Sequence, residues 1–239
     1  MKNNRLILNK KEIIDILGDD YKGLSDIFSS RFGIVNAMLE RHELDNNKLY
    51  MYQCLSANAT DLFGCSREVS SGGLGVHENK RIAMISCLAE ALERYCMSYI
   101  PKKEIIKCRK TELDKKSVFN EFDLYSNEQY EKSNDFLNPN TDIIEWTKII
   151  SIDDNKKYMY WPASLIYLPY DINKVVAETT STGMAAGFTI LECIRSGLLE
   201  LIERDSLMIN FMLRLNPPEI DIKTIGGMNK KLIEKIGSE

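Results

Sequence analysis

The sequence has 239 residues, 44% hydrophobic and 28% charged, with a net charge of -4 at neutral pH. That length can bury a substantial core in one large domain or two small ones, and the slight acidity gives no electrostatic reason for a nucleic-acid partner. No run of about 18 uncharged apolar residues occurs and the opening MKNNRLILNKKEI lacks a signal-peptide core, so neither a membrane span nor export is expected and the reading is cytoplasmic.

In chain order, KKEIIDILG (10–18) reads as a short helix stopped by Gly18. FGIVNAMLE (32–40) and LYMYQCLSA (49–57) have the branched and aromatic content of strands, joined by a polar turn containing LDNNK. Residues 80–99 read as a long helix. The basic stretch PKKEIIKCRKTELDKK (101–116) also holds Glu104, Glu112 and Asp114, so a solvated face or linker is expected. Residues 109–140 read as a loop-rich excursion with one short helix. DIIEWTKIISI and YMYWPASLIYL, either side of DDNKK, predict a β-hairpin followed by another extended piece. Residues 174–182 read as a strand and 189–214 as a second long helix, which NPPE ends because consecutive prolines cannot continue it. This mixture predicts an α+β fold with long helices on mixed or antiparallel sheets, not a regular βαβ alternation.

The six cysteines, Cys54, Cys65, Cys87, Cys96, Cys108 and Cys193, form no C-x-x-C pair. Reduced, mostly buried thiols are expected, without structural zinc or a disulfide framework. The two histidines, His42 and His77, have no convincing nucleophile beside them and predict surface or turn roles. GGLG followed by VHENK matches neither a P-loop nor a dinucleotide fingerprint.

The two long helices carry the chemistry. At about 100° per residue, Ser86, Glu90, Glu93 and Arg94 share a third of the first helix. Ile85, Leu88, Leu92 and Tyr95 lie opposite, with Cys87, Ala89 and Ala91 on the flanks. The second helix repeats the stripe with Ser196, Glu200, Glu203 and Arg204, joined by Glu192, and sets Ile194, Leu198 and Ile202 opposite. Such narrow polar stripes on apolar helices predict carboxylates lining a cleft. Residues 70–94 align without a gap on 180–204, an offset of 110, with Ser71/Ser181, Gly73/Gly183, Ser86/Ser196, Leu88/Leu198, Glu90/Glu200, Glu93/Glu203 and Arg94/Arg204 identical. The pattern reads as a duplicated unit of strand, glycine-containing turn and helix.

Glutamates at i and i+3 repel one another, and two such pairs facing one cleft call for a cation. Mg²⁺, a hard ion that bridges carboxylates and substrate phosphates, suits the set, and the arginines suit phosphate oxygens. A Mg–nucleotide site and an internal Glu–Arg salt-bridge network both satisfy this spacing.

SCLAEALERY and TSTGMAAGFTILECIRSGLLELIERD resemble the two N-terminal signature segments of the YcaO superfamily, and WPASLIYLPY (161–170) resembles the extended segment before the second. The resemblance runs from about Phe32 to Met212 and is nearest the streptolysin-type azoline-forming cyclodehydratases of bacteriocin biosynthesis and their docking-scaffold relatives. It implies a YcaO-like fold and ATP-dependent modification of a ribosomally made precursor peptide, with azoline formation through phosphorylation of a backbone amide oxygen. It implies Mg²⁺ on Glu90, Glu93, Glu200 and Glu203. It places ATP against Ser86, Arg94, Glu192 and Arg204, with Ser181 and Gly183 in a nucleotide cleft spanning 181–187. Implied partners are the precursor peptide, a recognition protein resembling ubiquitin-activating enzymes, a flavin dehydrogenase and a second copy in a homodimer. A non-catalytic docking scaffold, or a YcaO enzyme making thioamide or amidine, remain alternatives.

Three features depart from the family pattern. Leu74 stands where the first glycine turn often has lysine, and Phe188 follows AAG where some members have asparagine. The sequence ends at KKLIEKIGSE, before the family's remaining nucleotide-contacting motif. The expectation is therefore the N-terminal portion of a single YcaO-like domain over 1–239, inactive alone.

Overall fold

The structure is a computed structural model describing residues 5–41, 49–58, 60, 72–113, 124–152, 158–170, 174–227, 230 and 233. Two compact units divide the chain: residues 1–57, 72–93 and 182–239 form the first, and residues 58–71 with 94–181 the second. Among the described residues no helix is long and apolar enough to cross a membrane.

The first unit holds an antiparallel sheet in the order β1 (Arg5–Ile7), β2 (Val35–Arg41), β3 (Tyr50–Ser56) and β4 (Gly72–His77). Helix α1 (Lys10–Leu17) begins with an Asn9–Glu12 capping box and stops at Gly18, whose φ of 70° suits a residue without a Cβ. Alternation along β3 sends Tyr52 and Cys54 inward, and a bulge in β2 between Val35 and Ala37 turns both Val35 and Met38 to the same face, where they meet Ala83, Met84, Cys87, Leu88 and Ala91 of α2 (Lys80–Ser98). The expected strands at 32–40 and 49–57 and the helix at 80–99 are therefore present, while the turn containing LDNNK lies largely outside the described residues.

Two details differ from the sequence reading. GGLGVH is itself a strand, β4, not a turn after one. Cys87 and Ala91, expected on the flanks of α2, are fully buried. One cause explains both. A Cβ on Gly73 would overlap the carbonyl oxygen of Cys87, and one on Gly75 that of Ala83. Helix and strand backbones thus touch, and the small side of the helix faces the glycines.

The second unit holds the antiparallel sheet β5 (Ile106–Arg109), β6 (Ile143–Ile150) and β7 (Tyr158–Pro162), with Ile144, Trp146 and Val176 buried. The β6–β7 pair is the expected hairpin, and α3 (Asn127–Lys132) the expected short helix. β5 arises inside the basic stretch; three of its four residues are exposed, so it is solvated as expected but paired. The strand expected at 174–182 is absent. Val175 makes one bridge with Phe136, and Ser164 accepts from the Thr179 hydroxyl and from Val176 N–H, leaving no ladder to extend.

Helix α4 (Ile190–Leu213) belongs to the first unit and ends at Arg214, whose φ is 51°. Gly197 is its one buried residue among those described. Its apolar side, with Leu198 at 44% and Ile202 at 63% exposure, lies open. The thiols are free, with Cys54 and Cys87 buried, Cys108 and Cys193 half-buried and Cys96 exposed, fewer buried than expected; Cys65 lies outside the described residues. His42 also lies outside them, and His77 takes a turn role, its Nδ1 accepting from Asn79 N–H at 2.9 Å.

Candidate functional site

The duplication read from the sequence has a structural counterpart. α2 starts at Lys80 and α4 at Ile190, the same offset of 110 that aligns the sequences. Their caps align as well. Asn79 Oδ1 accepts from Arg81 and Ile82 N–H at 2.9 and 3.2 Å, and Thr189 Oγ1 accepts from Glu192 N–H at 3.2 Å. A short polar side chain that takes up the orphan N–H groups fixes where each helix begins, and thereby the height at which its glutamates emerge.

Those glutamates reach back to the glycine-containing segments. Glu90 Oε2 accepts from Leu74 N–H at 2.7 Å, and Glu200 Oε2 accepts from Gly183 N–H at 3.1 Å. Both acceptors are the first glutamate of Ser-x-x-x-Glu-x-x-Glu-Arg, and both donors lie in the segment before the helix. Glu200 Oε1 also takes Arg204 Nη2 at 3.1 Å, which places the arginine and both glutamate oxygens in one arrangement.

The close packing that permits these bonds is built in each copy. In the first, Cys54 Sγ accepts from Gly73 N–H at 3.2 Å and Cys87 Sγ donates to Gly73 O at 3.3 Å, so two buried thiols clamp β4 to α2. The hydrogen bond between the thiols draws Cys54's pKa down and, with burial, pushes that of Cys87 up. In the second, Gly183 has a φ of 85° and its carbonyl lies where a Cβ on Gly197 would stand, with Leu201 against its other side.

Glu90, Glu93 and Glu200 are half-buried, whereas Ser86, Ser196, Glu203 and Arg204 are exposed. Glu192 closes the α4 capping box, its Oε2 accepting from Phe188 and Thr189 N–H at 2.9 and 3.2 Å. Arg94 and Ser181 belong to the second unit. Among the described residues no three His, Cys, Asp or Glu side chains are grouped as a metal would need. The carboxylates stand as two pairs, one per helix. Mg²⁺ commonly sits on one or two carboxylates and completes its shell with phosphate and water, so either pair of hard oxygen donors fits it.

One contact had no sequence signal. The rings of Tyr21 and Phe188 meet with centroids 5.4 Å apart. Phe188 stands out in the sequence only as a departure from asparagine, and nothing local ties it to a residue so far away in the chain.

Residues 74–239 match the family described as YcaO cyclodehydratase, ATP-ad Mg2+-binding. No curated protein matches the chain. Among solved structures, the fold is similar to a heterocyclase in complex with substrate and cofactor, at 21% identity and a TM-score of 0.72, covering 95% of this chain and 32% of that one. It is also similar to YcaO from Methanopyrus kandleri bound with AMPPCP and Mg2+, at 17% identity and a TM-score of 0.63, covering 97% of this chain and 52% of that one. The chain thus spans about a third and about half of these two structures.

Proposed function

The chain belongs to the YcaO family, and from that premise we propose that it carries the nucleotide-binding helices of an enzyme that uses ATP to modify the backbone of a ribosomally made precursor peptide. The observation that carries this reading is the repeated bond between a motif glutamate and a backbone N–H, Glu90 with Leu74 and Glu200 with Gly183. A salt-bridge network alone has no need to tie two corresponding glutamates to backbone N–H groups of the segments before their helices, one residue apart in register.

In this reading Glu90 with Glu93, and Glu200 with Glu203, hold Mg²⁺. The backbone N–H groups of Leu74 and Gly183 aim the first carboxylate of each pair. Arg204, oriented by Glu200, turns its remaining donors to phosphate oxygens. Ser86 and Ser196 offer exposed hydroxyls on the same stripes. When bound, the Mg–ATP complex supplies a phosphoryl group to an amide oxygen, converting a poor leaving group into a good one. The reaction class favoured is azoline formation, in which a Ser, Thr or Cys side chain adds to the preceding carbonyl and phosphate departs with the former amide oxygen. Precursor recognition then falls to a partner protein, with the rest of a YcaO domain completing the site.

The test is mass spectrometry of a precursor peptide incubated with the YcaO protein, its recognition partner, Mg²⁺ and ATP. Azoline formation removes the mass of one water per ring and releases phosphate in step. Thioamide formation instead exchanges oxygen for sulfur. Neither change, with no phosphate release, would reject the enzymatic reading.

A docking scaffold is the second reading, favoured by the Glu200–Arg204 ion pair, which satisfies the motif internally. It predicts peptide or partner binding that is indifferent to nucleotide.

A further inference from the structure

The Tyr21–Phe188 pair takes no part in the carboxylate chemistry. Phe188 is 63% exposed, yet it is fixed on three sides. Its ring leans on Tyr21 with an interplanar angle of 49°, its N–H is held by Glu192, and α4 begins two residues later. Tyr21 is half-buried against the core of the first unit and gives this contact a firm backing. The result is an aromatic side chain with one side supported and the other open.

The surroundings select what can lie on it. The Glu192 carboxylate already occupies the N–H groups of Phe188 and Thr189, so this end of α4 carries negative charge and disfavours a phosphate. A flat, neutral, hydrogen-bonding ring meets no such cost. The phosphate-suited groups, Glu200 and Arg204, begin ten residues into the helix, about 15 Å along its axis at 1.5 Å per residue. A base at one end and metal-bound phosphates at the other is the layout of an extended nucleoside triphosphate.

We propose that Phe188, seated on Tyr21, is the platform on which the purine base of the nucleotide stacks, and so a base-binding residue of that site. This rests on the ATP-using reading given above. Stacking of a base on an aromatic side chain corresponds to roughly 5- to 150-fold in affinity.

Titration calorimetry with Mg–ATP and with Mg–tripolyphosphate tests it on the intact protein. Phe188→Ala should weaken ATP binding within that range and leave tripolyphosphate binding unchanged, which also reports an intact fold. Phe188→Tyr should restore ATP affinity. Phe188→Trp should show a change of indole emission with ATP and none with tripolyphosphate. If Phe188→Ala binds ATP within twofold of wild type while Glu200→Gln loses it, the nucleotide site stands and the platform is wrong. If wild type binds neither ligand, the ATP-using reading falls and the platform falls with it.

Discussion

Glu200 receives the backbone N–H of Gly183 at 3.1 Å, and it does so where no other residue could serve as donor without cost. Gly183 sits at a φ of 85°, its flank is filled by Leu201 and its carbonyl rests on Gly197. The carboxylate is therefore oriented by a backbone donor that close packing holds in place. This is the preorganisation that a metal–phosphate site requires.

Glu200→Gln keeps the shape and can keep the Gly183 bond, but removes the charge. Wild-type protein in a hundredfold excess of Mg–ATP over its Kd should gain about 2.7 kcal/mol, roughly 5–10 °C in Tm for a chain of this size. The variant should lose that gain, and neither Mg²⁺ nor ATP alone should produce it in the wild type. An equal shift in wild type and variant would make Glu200 a structural partner of Arg204 and nothing more.

Gly73→Ala tests the contact between strand and helix. The added methyl would overlap the Cys87 carbonyl oxygen, and a helix backbone has little room to retreat. A loss of about 1–3 kcal/mol or more is expected, several degrees in Tm. Leu74→Ala, one residue on and facing away at 48% exposure, should change stability by about 0.5 kcal/mol or less. Urea unfolding of the two variants side by side separates close packing from a general weakness of β4.

Much of this was legible because helical periodicity and charge patterning act locally. The offset of 110 carried over from the aligned residues to the helix starts without adjustment. β4 was not legible, since glycine runs are poor strands in isolation. Its glycines are explained only by the helix pressed against them. The strand expected at 174–182 failed for the opposite reason, suitable residues without a neighbouring strand to pair. Cys87 and Ala91 looked like flanks because the large apolar residues Ile85, Leu88, Leu92 and Tyr95 set the apparent centre of the apolar side, whereas contact between backbones makes small residues the most buried. Tyr21 and Phe188 meet only through the tertiary fold.

Alkaline stability follows from Tyr52. Burial, and then the adjacent Glu40 carboxylate, raise its pKa well above the ordinary value. Glu40 is only 5% exposed and accepts from Tyr52 at 3.2 Å and from Lys80 Nζ at 3.3 Å. A phenol whose pKa is raised on folding stabilises fully below the unfolded value, near 10, and loses that contribution as pH rises above it. Tyr170, raised by burial and by its bond to Glu145, acts in the same direction. Tyr52→Phe should lower stability by about 1 kcal/mol at pH 8 and flatten the fall above pH 10. Denaturant unfolding across this range checks both, and an unchanged alkaline slope would assign the loss to other groups.

The open side of α4 has a consequence of its own. Leu191, Leu198, Ile202, Met208, Ile209 and Met212 are between 44% and 78% exposed and recur at helical spacing on the side away from Glu200 and Glu203. The largest apolar patch on an ordinary monomer is about 300–600 Å², and a row of six such half-exposed side chains on one helix is of that size. A specific interface needs about 800 Å² per partner, and this row would form the apolar centre of such a contact with a second copy. The 239-residue chain should therefore self-associate at micromolar concentration, and added sulfate should strengthen the association, as it does apolar contact generally. Ile202→Glu with Met212→Lys should return the chain to a monomer, read by light scattering after size exclusion, while leaving the Gly183–Glu200 contact in place. A wild-type chain that stays monomeric, or oligomers that dissolve in high salt, would mean that charge governs this surface and that the apolar row does not.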